Sequence, residues 1–101
     1  MIYHLTVPKA VPSVEEIRIL EWHGEPGTVF VEDDLIVELE THKAVVEVRA
    51  GQSGVLRVLN GEPGDWLLID ETLAIFSDDP TESLPTSNEG STALIVAFDV
   101  T

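Results

Sequence analysis

A four-residue motif, Gly-Glu-Pro-Gly, begins at Gly24 and occurs again 37 residues later at Gly61. The same offset, carried forward without a gap, aligns residues of similar character: Phe30 with Leu67, Asp33 with Asp70, Asp34 with Glu71, Ile36 with Leu73, and Leu39 with Phe76. This alignment predicts two copies of one strand–turn–strand unit. A stacked solenoid needs about three repeats or more, so two copies indicate a compact barrel or sandwich with pseudo-twofold symmetry.

Val, Ile and Leu recur in short runs separated by Gly-, Pro- and Asp-rich turns, which is typical of an all-β chain. The segment from Ser13 to Trp22 opens with the Ser-x-x-Glu spacing of a helix capping box, but the alternation of Ile17 and Ile19 favours a strand. We therefore expect a flattened barrel or sandwich of two small antiparallel sheets.

Charge and hydropathy exclude several classes of protein. The 101 residues hold 5 Lys and Arg against 19 Asp and Glu, a net charge of −14. Nucleic acid and anionic membrane surfaces are excluded as partners, because binding to them needs clustered basic residues. A hydrophobic fraction of 44% is too high for a disordered acidic tail, so the chain is expected to fold.

Cysteine is absent, which excludes disulfides, thiolate zinc sites and thiol nucleophiles. This composition suits the cytoplasm or another reducing compartment, such as the mitochondrial matrix. The longest apolar run, Ala93–Phe98, is much shorter than the ~20 residues of a membrane-spanning helix, and the N-terminus lacks the features of a signal peptide.

The composition changes near residue 80 and predicts three parts. Residues 1–79 form the folded body, residues 80–92 are rich in Pro, Ser and Thr and are expected to be a flexible linker, and residues 93–101 form a C-terminal strand. Such a strand, left as an exposed edge, would promote aggregation. We expect it to pair with a sheet edge of its own body or of a second copy, which would make a homodimer.

One β-hairpin is predicted around His42-Lys43. A two-residue loop there would face Leu35 with Ala50, Ile36 with Arg49, Val37 with Val48, Glu38 with Glu47, Leu39 with Val46, Glu40 with Val45, and Thr41 with Ala44. One face is then apolar and the other charged, which fixes the register. His-Lys does not suit a primed turn, so we expect a type I turn or a slightly longer loop.

Lys43 lies at the tip of this hairpin. An exposed amine is protonated and inert at neutral pH, so a catalytic role is not expected. Lys43 is therefore either a solubilising surface residue or the attachment point for a group that another enzyme transfers to it.

The residues around this lysine resemble a known family. Glu40-Thr41-His42-Lys43-Ala44 is similar to the Glu-Thr-Asp-Lys-Ala tip of lipoyl domains, the carriers of 2-oxo acid dehydrogenase acyltransferases. The similarity extends from about Leu5 to Asp79 and includes further segments in the same order: Val7–Lys9, Ser13–Glu16, Ile19–Trp22, Asp34–Glu40, Gly54–Leu56 and Gly64–Leu67.

The resemblance implies the hammerhead fold of lipoyl and biotinyl domains for residues 1–79. It also implies that a lipoyl ligase or transferase links lipoate to Lys43 through an amide. The lipoyl arm would carry acyl groups and electrons among 2-oxo acid dehydrogenase, acyltransferase and dihydrolipoamide dehydrogenase components. The domain itself would be a non-catalytic carrier, free-standing or part of an acyltransferase. The modifying enzyme would recognise Glu40, Thr41, His42, Ala44 and Gly54.

Some residues depart from the family pattern: His42 replaces a usual acid, and Gly51 replaces a common proline. A biotinyl domain is the nearest alternative, although its lysine is normally flanked by methionines and the only Met here is Met1. An unmodified binding or regulatory module is the second alternative.

No metal site is expected. The three histidines lack ligand spacing, and the acidic pairs Asp33-Asp34 and Asp78-Asp79 read as turn residues. No catalytic residue is expected either, because the chain has no nucleophile elbow and no phosphate-binding loop.

Overall fold

The computed structural model describes residues 1–9, 14–81, 83 and 92–100, and the regular structure of these residues is entirely β. The strands are β1 (Ile2–Thr6), β2 (Glu16–Trp22), β3 (Val29–Phe30), β4 (Leu35–Glu40), β5 (Val45–Ala50), β6 (Gly54–Leu59), β7 (Trp66–Leu68), β8 (Thr72–Ser77), β9 (Thr92–Ala93) and β10 (Val96–Val100).

These strands form two five-stranded sheets. The first sheet has the order β3-β6-β8-β1-β9 and the second has the order β10-β5-β4-β2-β7. All pairings are antiparallel except that of β9 with β1, which is parallel. The predicted all-β architecture of two small sheets is confirmed. Residues 16–22 are a strand, as expected, while Ser13 lies outside the described residues.

The repeat governs the order of strands. A shift of 37 residues carries β3 onto β7 and β4 onto β8, and it overlays β2 with β6. Read from one edge, the two sheets run β3-β6-β8-β1-β9 and β7-β2-β4-β5-β10, so equivalent strands hold equivalent places. Short strand β3 pairs with β6 of the second copy, and β7 pairs with β2 of the first. Each copy thus completes the sheet of the other.

Matching backbone hydrogen bonds hold the two copies together. The Gly27 N–H donates to the Leu56 carbonyl, and the Gly64 N–H donates to the Ile19 carbonyl, both at 2.8 Å. Both glycines have positive φ, at 99° and 98°. This left-handed backbone favours glycine, which explains why the sequence keeps Gly at both positions.

A second pair of equivalent turns uses aspartate. Asp33 and Asp70 have φ of 77° and 74°, and they are the only non-glycine residues with positive φ in the part of the chain that the structure describes. Aspartate tolerates this conformation better than most L-residues because its short side chain can bond locally. The two copies of the repeat therefore share this unusual backbone conformation as well as similar residues.

The core lies between the two sheets. Alternate residues of β4 and β5, including Leu39, Val46 and Val48, are completely buried. Phe30 and Phe76 meet edge to face, with ring centroids 5.8 Å apart. Burial of each such side chain stabilises the fold by about 1.5–3 kcal/mol, so apolar packing between the sheets is the main stabilising term.

The C-terminal segment differs from the single strand expected over residues 93–101. It forms two short strands, and β9 joins the first sheet while β10 joins the second. Leu94, between them, is buried and its N–H donates to the His4 carbonyl. Because the segment crosses from one sheet to the other, it covers the edge of β1 in the first sheet and the edge of β5 in the second. The pairing lies within one chain.

Gly51 lies against Ile95, which is in the short connection between β9 and β10. Its N–H donates to the Ile95 carbonyl at 2.7 Å, and a Cβ on Gly51 would lie 2.9 Å from that same oxygen. A proline at this position would have no N–H to donate. The departure from the family pattern at residue 51 therefore accommodates the C-terminal segment. Most of the linker expected at residues 80–92 lies outside the described residues.

Replacement of Gly51 by Ala should lower the free energy of unfolding by about 1–3 kcal/mol, because the new methyl group would collide with Ile95. Gly54→Ala is the matched control, since its Cβ would meet neighbouring atoms no closer than 3.7 Å. Urea denaturation of both variants measures the difference. A cost at Gly51 that persists after deletion of residues 80–101 would show that the contact with Ile95 is not its cause.

Candidate functional site: the tip of the β4–β5 hairpin

The predicted hairpin is present, with a four-residue tip, 41–44, between β4 and β5. Four predicted pairs are confirmed, from Glu40 with Val45 to Val37 with Val48. The two predicted pairs farthest from the tip, Leu35 with Ala50 and Ile36 with Arg49, are wrong, because Leu35 faces Arg49 and Ile36 has no partner across the strand. Sequence alternation missed a β-bulge at Ile36.

The bulge has a physical reason in the core. Ile36 and Val37 are adjacent, yet both are completely buried, which regular alternation does not allow. The repeat-equivalent residues of β8 behave in the same way: Leu73 is skipped in the pairing with β1, and Leu73 and Ala74 are both buried. Each bulge adds one more apolar side chain to the core.

Thr41 shapes the tip. Its side chain is almost completely buried, and Oγ1 accepts hydrogen bonds from the N–H groups of Lys43 and Ala44 at 3.1 and 3.0 Å. The Thr41 N–H donates to the Ala44 carbonyl at 2.8 Å. Neither His42 nor Lys43 has a positive φ, in agreement with the prediction that a primed turn is absent. The hydrogen bonds to the Thr41 side chain therefore stabilise a four-residue tip in place of a two-residue turn.

Lys43 is exposed at the apex of the hairpin. Within the described residues, no carboxylate lies within ion-pair distance of its ammonium group. Its backbone is held by Thr41 while its side chain extends into solvent. This arrangement presents an amine to another molecule without first breaking a contact within the domain.

Glu40 is oriented by an ion pair. Its carboxylate accepts a hydrogen bond from the Arg18 guanidinium, which lies across the sheet on β2. Arg18 in turn lies 6.0 Å from the centre of the Trp66 ring on β7, within the range of a cation–π contact. Trp66, Arg18 and Glu40 thus form a row across the second sheet that ends beside the tip.

A groove opens beside this row, with a volume of about 570 Å³. It is lined by residues of the β2 entrance, the tip and β7: Val14, Glu15, Glu16, His42, Trp66 and Leu68. Trp66 and Leu68 expose about half of their surface, 51% and 54%. No pattern in the sequence predicts this groove, because its lining residues are distant in the chain and meet only through the pairing of β2 with β7.

Gly54 is not part of the tip. The six residues of strand β5 carry the chain about 17 Å away from the tip, and Gly54 follows at the start of β6 in the other sheet. Gly54 is buried and pairs with Phe30. Of the predicted recognition residues, the structure therefore brings together Glu40, Thr41, His42 and Ala44 but not Gly54.

A row of carboxylates crosses the outer face of the second sheet. Glu21 pairs with Glu38, Glu38 with Glu47, and Glu47 with Asp99, on four adjacent strands. Arg49 lies near two of them, 3.7 Å from Glu47 and 3.9 Å from Asp99. The repulsion between like charges in register costs stability, so this face is suited to contact with a positively charged surface.

His23 was not expected to have ligating neighbours, yet its Nε2 lies 2.7 Å from a Glu38 carboxylate oxygen and 3.9 Å from one of Glu21. Single atoms of these three side chains lie within 4.8 Å of one another. Sequence spacing missed the cluster because Glu38 lies on a different strand. The group is open to solvent, and hydrogen bonding of His23 to Glu38 accounts for its closest contact.

The acidic pairs expected at turns do lie at turns. Asp34 accepts a hydrogen bond from the Val31 N–H, and Asp78 pairs with the N-terminal amine at 2.6 Å. The backbone N–H and the hydroxyl of Thr81 donate to Asp79, and these hydrogen bonds hold the pKa of that carboxyl below its usual range.

Comparison with known proteins agrees with this geometry. Residues 3–76 match the Biotin_lipoyl family, described as biotin-requiring enzyme. The solution structure of the lipoyl domain of the 2-oxoglutarate dehydrogenase complex from Azotobacter vinelandii superposes with a TM-score of 0.65, at 32% identity, over 74% of this chain and 95% of that one. The chain belongs to the biotinyl/lipoyl carrier family. Within that family, its similarity is to lipoyl domains, as the sequence predicted.

Curated relatives of this lipoyl-type domain are longer proteins. The dihydrolipoyllysine-residue succinyltransferase component of the 2-oxoglutarate dehydrogenase complex of Cupriavidus necator is 35% identical over 79% of this chain. The corresponding protein of Pseudomonas aeruginosa is 37% identical over 72%. The chain spans only 19% and 18% of the length of these relatives. In the described part of this chain, no helix is long and apolar enough to span a membrane.

Thr41→Val should lower the free energy of unfolding by about 1 kcal/mol, because the N–H groups of Lys43 and Ala44 lose their acceptor. Amide hydrogen exchange at these two residues should accelerate in the same variant. Thr41→Ser keeps the hydroxyl and is the control. Equal exchange rates in the Val and Ser variants would show that the hydroxyl does not hold the tip.

Proposed function

We propose that Lys43 is the attachment site of lipoate and that this domain carries acyl groups and electrons between the active sites of a 2-oxo acid dehydrogenase complex. The supporting observation is the exposed amine at the apex of a hairpin whose backbone is fixed by Thr41. Membership of the carrier family supports the same proposal. The relatives act in a 2-oxoglutarate dehydrogenase complex, which makes that complex the first candidate.

Lipoate supplies a dithiolane whose sulfurs can accept an acyl group and be reduced and reoxidised. The residues of this chain would position the lipoyl group. Lys43 would form the amide through Nζ, and its exposure leaves the nitrogen accessible to a modifying enzyme. Since an exposed lysine is protonated near neutral pH, the lipoyl ligase or transferase has to remove the proton and supply the activated acyl group.

The ligase or transferase would recognise both the shape of the hairpin tip and the charge beside it. Thr41 and Ala44 define the shape of the tip through their mutual hydrogen bonds. Glu40 offers a carboxylate that Arg18 holds in place, and His42 is exposed next to the lysine. Gly54 lies away from the tip, so it would act through a second contact of the enzyme with the body or through packing under Phe76.

The remaining proposed partners are the 2-oxo acid dehydrogenase, the acyltransferase and the dihydrolipoamide dehydrogenase. The domain itself would catalyse no step and would act as a part or companion of a dihydrolipoamide acyltransferase. Its net charge of −14 and the carboxylate row from Glu21 to Asp99 favour docking to those enzymes through positively charged surfaces.

Intact-mass spectrometry after co-expression with a lipoyl ligase tests the attachment. The wild-type chain should gain one lipoyl group, and Lys43→Arg should gain none. Lys9, the only other lysine, provides the matched control, and Lys9→Arg should be modified fully. Co-expression with a biotin ligase should add nothing. Addition of biotin alone would favour the biotinyl alternative, and no addition by either enzyme would favour an unmodified binding module.

Glu40→Gln should reduce the initial rate of lipoylation about tenfold, equivalent to about 1.4 kcal/mol, because a positioned charge near the target amine is lost. Glu47→Gln is the control, since Glu47 lies on the same face but farther from the tip. Arg18→Met tests whether orientation matters, because it leaves Glu40 in place without its ion pair. A rate for Glu40→Gln equal to that of Glu47→Gln would contradict a recognition role for Glu40.

A further inference from the structure

We propose that the groove beside the hairpin tip is a resting site for the lipoyl chain on Lys43, with Trp66 and Leu68 as its apolar floor. This inference rests on the function proposed above and concerns what the arm does between visits to partner enzymes. The groove is formed by the β7 strand, the residues leading into β2, and the tip itself.

Proximity is the first argument. His42 lines the groove, and its Cα lies about 3.8 Å from that of Lys43, as for any neighbours in a chain. A lysine side chain extended by a lipoyl chain is much longer than this separation. The arm can therefore fold back into the groove without any movement of the backbone that Thr41 holds.

The chemistry of the walls is the second argument. Trp66 and Leu68 lie on one face of β7 as exposed large apolar residues. The carboxylates of Glu15 and Glu16 also line the groove, and Glu16 pairs directly with Leu68. Amide formation removes the charge of both the lysine and the lipoate, so the attached chain is neutral and apolar. The carboxylates disfavour free anionic ligands but do not repel a neutral chain. Sulfur also makes favourable contacts with aromatic rings, and Trp66 supplies such a ring.

Size and support are the third argument. The volume of about 570 Å³ is within the roughly 300–1,000 Å³ of small-molecule sites. The indole of Trp66 is held against the Arg18 guanidinium, which is anchored by Glu40, so the floor of the groove is ordered before the arm arrives. A lipoyl chain that rests there covers part of the exposed surface of Trp66 and Leu68 and remains next to His42, near the recognition surface of the tip.

Nuclear magnetic resonance of the ¹⁵N-labelled domain tests the proposal, with intact mass as an independent check on modification. The domain has two indole N–H signals, and that of Trp22 is an internal reference because it donates to the Gly61 carbonyl away from the groove. On lipoylation, the signals of Trp66 and Leu68 should shift several-fold more than that of Trp22. Nuclear Overhauser contacts should join the dithiolane protons to the Trp66 ring.

Leu68→Ser should reduce the shift at Trp66 several-fold without reducing lipoylation. Val31→Ser is the matched control, because Val31 is similarly exposed but outside the groove. Complete lipoylation with unchanged Trp66 and Leu68 signals would overturn the resting site and leave the proposed function intact. Shifts that vanish on dilution would assign the groove to a second copy of the chain and would also overturn it.

Chemical attachment of an apolar chain at residue 43 tests the groove without any modifying enzyme. Because the chain has no cysteine, Lys43→Cys provides a single thiol that can be alkylated with N-octyl iodoacetamide, which forms a thioether and releases iodide. An octyl chain is used because a dithiolane would exchange with the thiol. Contacts from this chain to Trp66 would support the groove even if no ligase modified Lys43, and their absence would overturn it.

Discussion

Two hydrogen bonds between the copies of the repeat, from Gly27 to Leu56 and from Gly64 to Ile19, are the constraint on which the rest of the structure depends. Each bond joins the turn of one copy to a strand of the other, and each requires a left-handed glycine. Because β3 and β7 are exchanged in the same way, neither copy has a complete sheet alone. The two apolar faces can therefore be buried only together, which gives a small chain a single core.

The functional hairpin follows from that core. The apolar residues of β4 and β5 fix the register, and the bulge at Ile36 places one more side chain inside. With the strands fixed, the tip needs only the hydroxyl of Thr41 to hold the backbone of Lys43. A rigid hairpin and an exposed lysine together suit the proposed carrier role, since an arm attached to Lys43 would move while its base would not.

The surface near the tip combines apolar and acidic regions with different roles. Trp66 and Leu68 form an apolar floor close to Lys43, and the row from Glu21 to Asp99 carries negative charge across the same sheet. Arg18 connects them, because it contacts both the Trp66 ring and Glu40. One face of the domain thus holds both the proposed resting site for a neutral arm and the charged surface proposed to contact partner enzymes.

The sequence by itself determined the repeat, the all-β class, most of the hairpin register and the position of Lys43 at its tip, because these depend on local alternation and on spacing along the chain. Only the tertiary structure decided the bulges, the division of the C-terminal segment between two sheets, the groove and the cluster around His23. Each of these depends on residues that are distant in the chain. Ile36 is buried because of the bulge in β4, Gly51 accommodates Ile95, and Trp66 lines the same groove as His42 because β7 pairs with β2. Such contacts arise from packing between strands, which a pattern along one strand does not encode.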